Sequence, residues 1–169
     1  MNRIETCLDK LKSENRKALV AFITAGDPDL ESTMRILSVI DDSGADIIEL
    51  GVPFSDPLAD GPVIQASALR ALKSGTTLKK IIESIEYIRK SRNLPIVLMT
   101  SFNPVFVYGE RQFIEDAISV GVDGVIIPDL PPEEAIQFSA NAKERGLDMI
   151  HLLAPTSPDE RVRMVAEHG

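Results

Sequence analysis

Two carboxylates stand at the ends of a proline-rich stretch, Glu49-Leu50-Gly51-Val52-Pro53-Phe54-Ser55-Asp56-Pro57-Leu58-Ala59-Asp60-Gly61-Pro62. The first, Glu49, interrupts the apolar run Ala45-Asp46-Ile47-Ile48-Glu49-Leu50 at a position the core pattern would otherwise fill. A charge there must be paired or functional, because burying it alone is costly. Desolvation raises the pKa of such a carboxyl, so that it can hold or release a proton near neutral pH, and Glu49 is the first acid/base candidate. Pro53, Pro57 and Pro62 each fix a φ angle, while Gly51 and Gly61 permit tight backbone at either end, so Ser55, Asp56 and Asp60 are held in place. Asp60 could hydrogen-bond an N–H or oppose positive charge developing on a substrate. Asp before Gly is also an ordinary turn residue, and the two readings weigh evenly.

The remaining candidates are weaker. Asp27 and Asp56 each precede proline and read first as turn initiators. Asn103-Pro104 and Pro131-Pro132 read as punctuation before helices, with Glu133 and Glu134 in a first helical turn, and Asp129 is a secondary candidate at a strand end. His151 is expected in the core or at a strand end and His168 in solvent. Neither belongs to a cluster with metal-ligand spacing, so no metal site is expected. There is no G-x-S-x-G elbow and no P-loop. The residues by themselves point to a carboxylate-driven lyase or isomerase that uses no cofactor.

Such a site needs a scaffold, and the chain repeats one unit: a short β-branched run, a polar or Gly/Pro loop, then an amphipathic stretch. After a leading helix near 2–13, strands are expected at 18–23, 46–50, 95–99, 124–127 and 148–153. Helices are expected near 30–42, 62–90 in two pieces broken at Ser74-Gly75, 110–120, 132–145 and 158–168. Continuous apolar strands separated by helices imply a parallel sheet covered by helices. The polar residues gather after the strand C-terminal ends, as on the active face of a (β/α)₈ TIM barrel, and no G-x-G-x-x-G follows the first strand. The expectation is one partial barrel domain over 1–169, consisting of the first five βα units and an N-terminal helix.

Composition narrows the partners. With 169 residues, 44% of them hydrophobic, the chain can bury a substantial core. A net charge of −8 argues against nucleic acid or an anionic membrane as partner and leaves small molecules and proteins. The single cysteine, Cys7, excludes an internal disulfide, and its helical spacing with Ile4, Leu8 and Leu11 makes it a core thiol. The start has no apolar signal region and no segment has the roughly twenty apolar residues of a membrane helix, so a cytoplasmic location is expected.

The stretch 49–62, with Ile64-Gln65 and Ala68-Leu69-Arg70-Ala71-Leu72 after it, closely resembles the tryptophan synthase alpha subunit family. Phe22-Ile23-Thr24-Ala25-Gly26-Asp27-Pro28, Leu98-Met99-Thr100, Asn103-Pro104-Val105-Phe106, Tyr108-Gly109, Gly121-Val122-Asp123-Gly124 and Pro128-Asp129-Leu130-Pro131 resemble it too. The resemblance implies a barrel that cleaves indole-3-glycerol phosphate by a retro-aldol reaction to indole and glyceraldehyde 3-phosphate. Glu49 would be its acid/base group, and Asp60 would hold the indole N–H. Phe22, Met99 and Ile126 would wall the indole pocket. Pro53, Asp56, Asn103 and Pro104 would lie on the face that docks the beta subunit in an alpha2beta2 heterotetramer, with pyridoxal phosphate chemistry belonging to that partner. Two departures stand out: Ser101, where the family commonly has an aromatic residue, and a family chain that continues for about another third, carrying the phosphate-gripping backbone and a mobile loop. The rival expectation is a non-catalytic fragment that serves at most as a binding partner of the beta subunit.

Overall fold

The computed structural model describes residues 2–57 and 60–168. Helix α1 (Arg3–Ser13) begins at Asn2, whose side chain accepts from the Glu5 N–H while the Glu5 carboxylate accepts from the Asn2 N–H, a reciprocal capping box. There follow β1 (Val20–Thr24), α2 (Leu30–Asp42), β2 (Ile47–Gly51), α3 (Pro62–Lys73), α4 (Leu78–Arg89), β3 (Ile96–Met99), α5 (Phe102–Tyr108), α6 (Glu110–Ser119), β4 (Gly124–Ile126), α7 (Pro132–Arg145), β5 (Asp148–Ile150) and α8 (Asp159–His168). The strands form one parallel sheet in sequential order β1-β2-β3-β4-β5, an arc of a barrel.

The pleat sorts side chains into two faces. Ile48, Leu50, Ile96, Leu98 and Val125 point outward into the large core, where α4 presents Leu78, Ile81, Ile82, Ile85 and Ile88 on one helical stripe. The inner face carries Ile47, Val97 and Ile126, closed off by Ile4 of α1, and Cys7, Met99 and Ile150 pack against that cluster. Cys7 is half-buried at the rim, 3.5 Å from the Asp46 carbonyl, and does not sit in the core as its spacing suggested. Its helix plugs the end of the arc, so only part of the Cys7 side chain is covered.

Aspartates at strand entries fasten neighbouring strands. Asp46, just before β2, accepts from the Leu19 N–H at 2.8 Å, and Asp123, just before β4, accepts from the Ile96 N–H at 2.9 Å. Asp123 is almost wholly buried and also takes Arg89 Nη2 at 2.7 Å and Arg3 Nη1 at 2.9 Å. Arg89 donates further to the carbonyls of Gly121 and Leu94. One carboxylate thus ties α1, α4, β3 and β4 at the N-terminal end of the sheet.

Several expected boundaries move. The run at 148–153 keeps strand form only to Ile150, because its partner β4 has three residues, and Leu152 and Leu153 are exposed. The run at 18–23 begins pairing at Val20, and Val20 and Phe22 on β1, the other edge strand, remain exposed, as does Leu19 just before it. Asn103-Pro104, read as punctuation, lies inside the first turn of α5, where proline's missing N–H would have had no helical partner. His151 directly follows β5, as expected, with Nε2 3.3 Å from Ser139 Oγ. The side chain of His168 lies outside the described residues, as do Leu58 and Ala59 of the β2–α3 loop.

Two outcomes follow. Asp123→Asn leaves the Arg89 guanidinium buried without its counter-charge, and chemical denaturation should register a loss of about 3–5 kcal/mol. Unpaired, apolar strand edges at β1 and β5 template further pairing, so the 169-residue polypeptide by itself should self-associate in light scattering. A monodisperse monomer with a cooperative thermal transition would contradict the second expectation.

Candidate active site

Glu49 is the only ionisable residue within β2, and the ladder decides where it points. Its register partners are Phe22 on β1 and Val97 on β3, and Ile47 and Gly51 share its inner face. Burial pushes its carboxyl above the ordinary value of 4.5, with no charge or hydrogen bond from the described residues contributing. That is the environment expected of a group that gives and takes a proton rather than one that stabilises by pairing.

Above this row the strand C-terminal ends open into a cleft of about 400 Å³. Its apolar walls include Phe22, Met99, Phe54 and Ile64, and its polar groups include Asp60 and Asp129. Gly51 forms part of the floor: a Cβ there would come within 2.8 Å of two ring carbons of Phe22, so glycine is what lets the ring lie across β2. Glu49, two residues earlier on the same face, sits one level below, about 7 Å along the strand.

The loop that brings Asp60 to the cleft leaves β2 through Val52, whose N–H donates to the Met99 carbonyl at 2.8 Å. It re-enters regular structure at Pro62, the first residue of α3. The Asp60 carbonyl accepts from Gln65 Nε2 at 2.7 Å, a local tie that leaves the carboxylate to the cleft. Pro53 and Asp56 of the same loop also line the cleft. Asn103 and Pro104 do not. They lie on α5, which exposes Phe106 and Val107. Ile126 is set behind the lining, packed with Ile47 and Val97 and register-paired with Met99.

Thr24 and Thr100 also line the cleft, although short hydroxyl side chains after a strand look like ordinary loop, and Ser101, the position where the family commonly has an aromatic residue, lines it beside them. Asp129, the secondary candidate, lines the cleft and accepts from the Phe102 N–H at 2.9 Å, fixing the start of α5. Asp27 is more than a turn initiator. Its carboxylate takes Arg70 Nε at 2.8 Å, Arg70 Nη2 at 2.6 Å and Ser67 Oγ at 2.5 Å, and these bonds hold it below the usual carboxylate range. Nothing local marks that pairing, since its partners lie on another helix. Among the described residues no group of His, Cys, Asp and Glu side chains is arranged to hold a metal, and no helix is long and apolar enough to cross a membrane.

Parallel strands in sequential order, helical crossovers between them, and carboxylates with hydroxyls around an apolar cleft at the strand C-terminal ends define a (β/α)-barrel protein with its site on the usual face. The family model described as tryptophan synthase alpha chain matches residues 8–169, and the chain belongs to that family. The tryptophan synthase alpha chain of Geotalea uraniireducens (strain Rf4) is 56% identical over 169 residues, covering all of this chain and 63% of its own length. The crystal structure of tryptophan synthase subunit alpha from Legionella pneumophila str. Paris superposes with a TM-score of 0.97 at 42% identity, over 99% of this chain and 64% of that one. A tryptophan synthase a2b2 complex from Pyrococcus furiosus contains a chain matching at TM-score 0.85 and 43% identity, over 89% of this chain and 64% of that one. This chain therefore spans a little under two thirds of the length of these relatives.

The raised Glu49 pKa has a consequence for stability. Below the ordinary value of 4.5 the carboxyl is neutral in both folded and unfolded chains. As pH rises from there through the folded-state value, the unfolded chain ionises first and the folded state loses ground. Glu49→Gln cannot ionise, so the variant should match the parent in denaturant midpoint near pH 4 and exceed it near pH 8. Equal midpoints at both pH values would mean that Glu49 ionises freely.

Proposed function

We propose that the protein carrying these residues is a carbon–carbon lyase of tryptophan biosynthesis, cleaving indole-3-glycerol phosphate to indole and glyceraldehyde 3-phosphate. The observation that carries this reading is Glu49, a desolvated carboxyl without a counter-charge on the inner face beneath an apolar cleft. Membership of the family supports it, as does Asp60 on the cleft wall.

In this reading the indole ring lies between Phe22 and Met99, with Ile126 behind Met99. Neutral Glu49 gives its proton to the ring carbon that bears the glycerol chain. Asp60 accepts the ring N–H and opposes the positive charge of the resulting indolenine-like cation. The Glu49 carboxylate then takes the proton of the adjacent glycerol hydroxyl. The carbon–carbon bond breaks, its electron pair returns to the ring, and the hydroxyl oxygen becomes the aldehyde carbonyl. One proton has moved from oxygen to carbon, and Glu49 ends neutral as it began. The step balances on the chain's own side chains.

A beta subunit is the proposed macromolecular partner. Pro53 and Asp56 at the cleft mouth and Asn103 and Pro104 on α5 would face it, beside the exposed Phe106 and Val107. The chemistry of this partner reading is a short apolar surface with a carboxylate at its edge. A cytoplasmic site of action follows from the pathway in the same reading.

The kinetic outcome separates the two carboxylates. In the full-length protein, Glu49→Gln should lower the rate of indole release by about 10²-fold or more, since it removes both proton transfers. Asp60→Asn keeps the shape and loses the opposing charge, so turnover should fall strongly with the fold intact. Steady-state cleavage of indole-3-glycerol phosphate, with circular dichroism as the fold control, is the measurement. A folded Glu49→Gln variant with near-parental turnover would remove Glu49 from the mechanism.

A further inference from the structure

We propose that Asp27 is a positioning residue for Asp60, acting through helix α3; the kinetic part of this proposal rests on the lyase reading above. Helix α3 has little apolar grip on the body of the protein. Its buried residues are Ser67, Ala68 and Ala71, while Val63 and Leu69 are exposed. Small side chains bring the helix close but supply little burial energy to fix its angle.

Polar ties supply that angle instead. Asp27 clamps the middle of the helix through the bidentate Arg70 pair and the Ser67 hydroxyl. At the helix end, Ser74 Oγ lies 3.2 Å from the Gly26 carbonyl, its proton shared with the nearer Ala71 carbonyl at 2.8 Å. Gly26 itself approaches so closely that a Cβ would lie 2.0 Å from Thr76 Oγ1. The base of the clamp is firm. The Gly26 N–H donates to Thr33 Oγ1 at 2.9 Å, and that fully buried hydroxyl donates on to the Asp29 carbonyl at the start of α2.

Among the described residues the opposite end of α3 has no such polar clamp, and its Ile64 is only half-buried. Its N-cap, Gly61, makes no side-chain cap bond, and Asp60 immediately precedes it. The helix is therefore a lever, clamped at Arg70 and Ser67, with Asp60 at its free tip. From Arg70 to Gly61 the arm is about 13 Å, so a pivot of about 10° carries the tip about 2 Å. Misplacement by about 1 Å can cost as much as 10²-fold in rate. Ile64 and Ala68 of the same helix line the cleft, so the clamp sets the wall and the carboxylate together.

A double-mutant cycle and an exchange measurement test this. In the full-length protein, Asp27→Asn should lower kcat for indole-3-glycerol phosphate cleavage about tenfold with KM changed far less. In an Asp60→Asn background the same substitution should cost clearly less than in the parent, because the charge that the clamp aims is already gone and only the displaced wall still contributes. Arg70→Lys, which keeps the charge and loses the fork, should fall between and serves if Asp27→Asn folds poorly. Independently, amide hydrogen exchange at residues 60–66 should quicken about tenfold in Asp27→Asn while β2 and α2 keep their protection. Equal losses in both backgrounds, or unchanged exchange at 60–66, would overturn the proposal. If the parent protein cleaves no indole-3-glycerol phosphate, the lyase reading falls alone, and the exchange result still decides whether Asp27 holds the Asp60 segment.

Discussion

The register of the parallel ladder is the constraint on which everything else depends. Pairing Phe22 with Glu49 and Glu49 with Val97 puts one carboxylate and one aromatic ring on the inner face and leaves Ile48 and Leu50 for the helices. A slip of one residue would exchange the two sets, burying Glu49 among the isoleucines of α4 and turning Leu50 inward. Apolar patterning alone does not prevent that, because both faces of β2 are largely covered. The strand-entry aspartates do. Asp46 and Asp123 each accept one particular neighbouring N–H, and such a bond can be made in only one register.

The two ends of the sheet use charge in opposite ways. At the N-terminal end, carboxylates are matched: Asp123 has two arginines and an amide, and Asp46 has the Arg16 fork at 2.6 and 3.1 Å. The Arg16 fork and the Leu19 N–H hold the Asp46 carboxyl below the usual carboxylate range. On the way to the C-terminal end, Glu49 is desolvated and unmatched, which costs stability and makes its proton available.

Much of this was legible in the sequence, and the failures share a cause. Strands and long helices announce themselves through local periodicity, and Glu49 stood out because it broke that periodicity. Helix α5 was hidden because Asn-Pro is a turn signal wherever proline falls outside a helix's first turn, and seven residues are too few for a period to show. The shortening of β5 depends on β4 ending first, and the part-exposure of Cys7 depends on how α1 plugs the arc. Each is a statement about a neighbour distant in sequence. Asp27 is the clearest case, since Asp-Pro looks the same whether or not an arginine forty-three residues away reaches it.

That last pairing also bears on why α3 is built from small residues. A helix buried through Leu or Ile would be gripped strongly, but it would stand farther from β1 and carry Asp60 away from the cleft. Ser67, Ala68 and Ala71 allow close approach and forfeit burial energy. A directional ion pair replaces that energy with geometry, because a bidentate fork tolerates little rotation whereas an apolar contact tolerates much. With Arg70 mostly solvent-exposed, the pair adds little to global stability, as exposed pairs generally do. Its contribution lies in orientation, which a stability measurement alone would miss, and which matters only because a carboxylate sits at the far end of the helix.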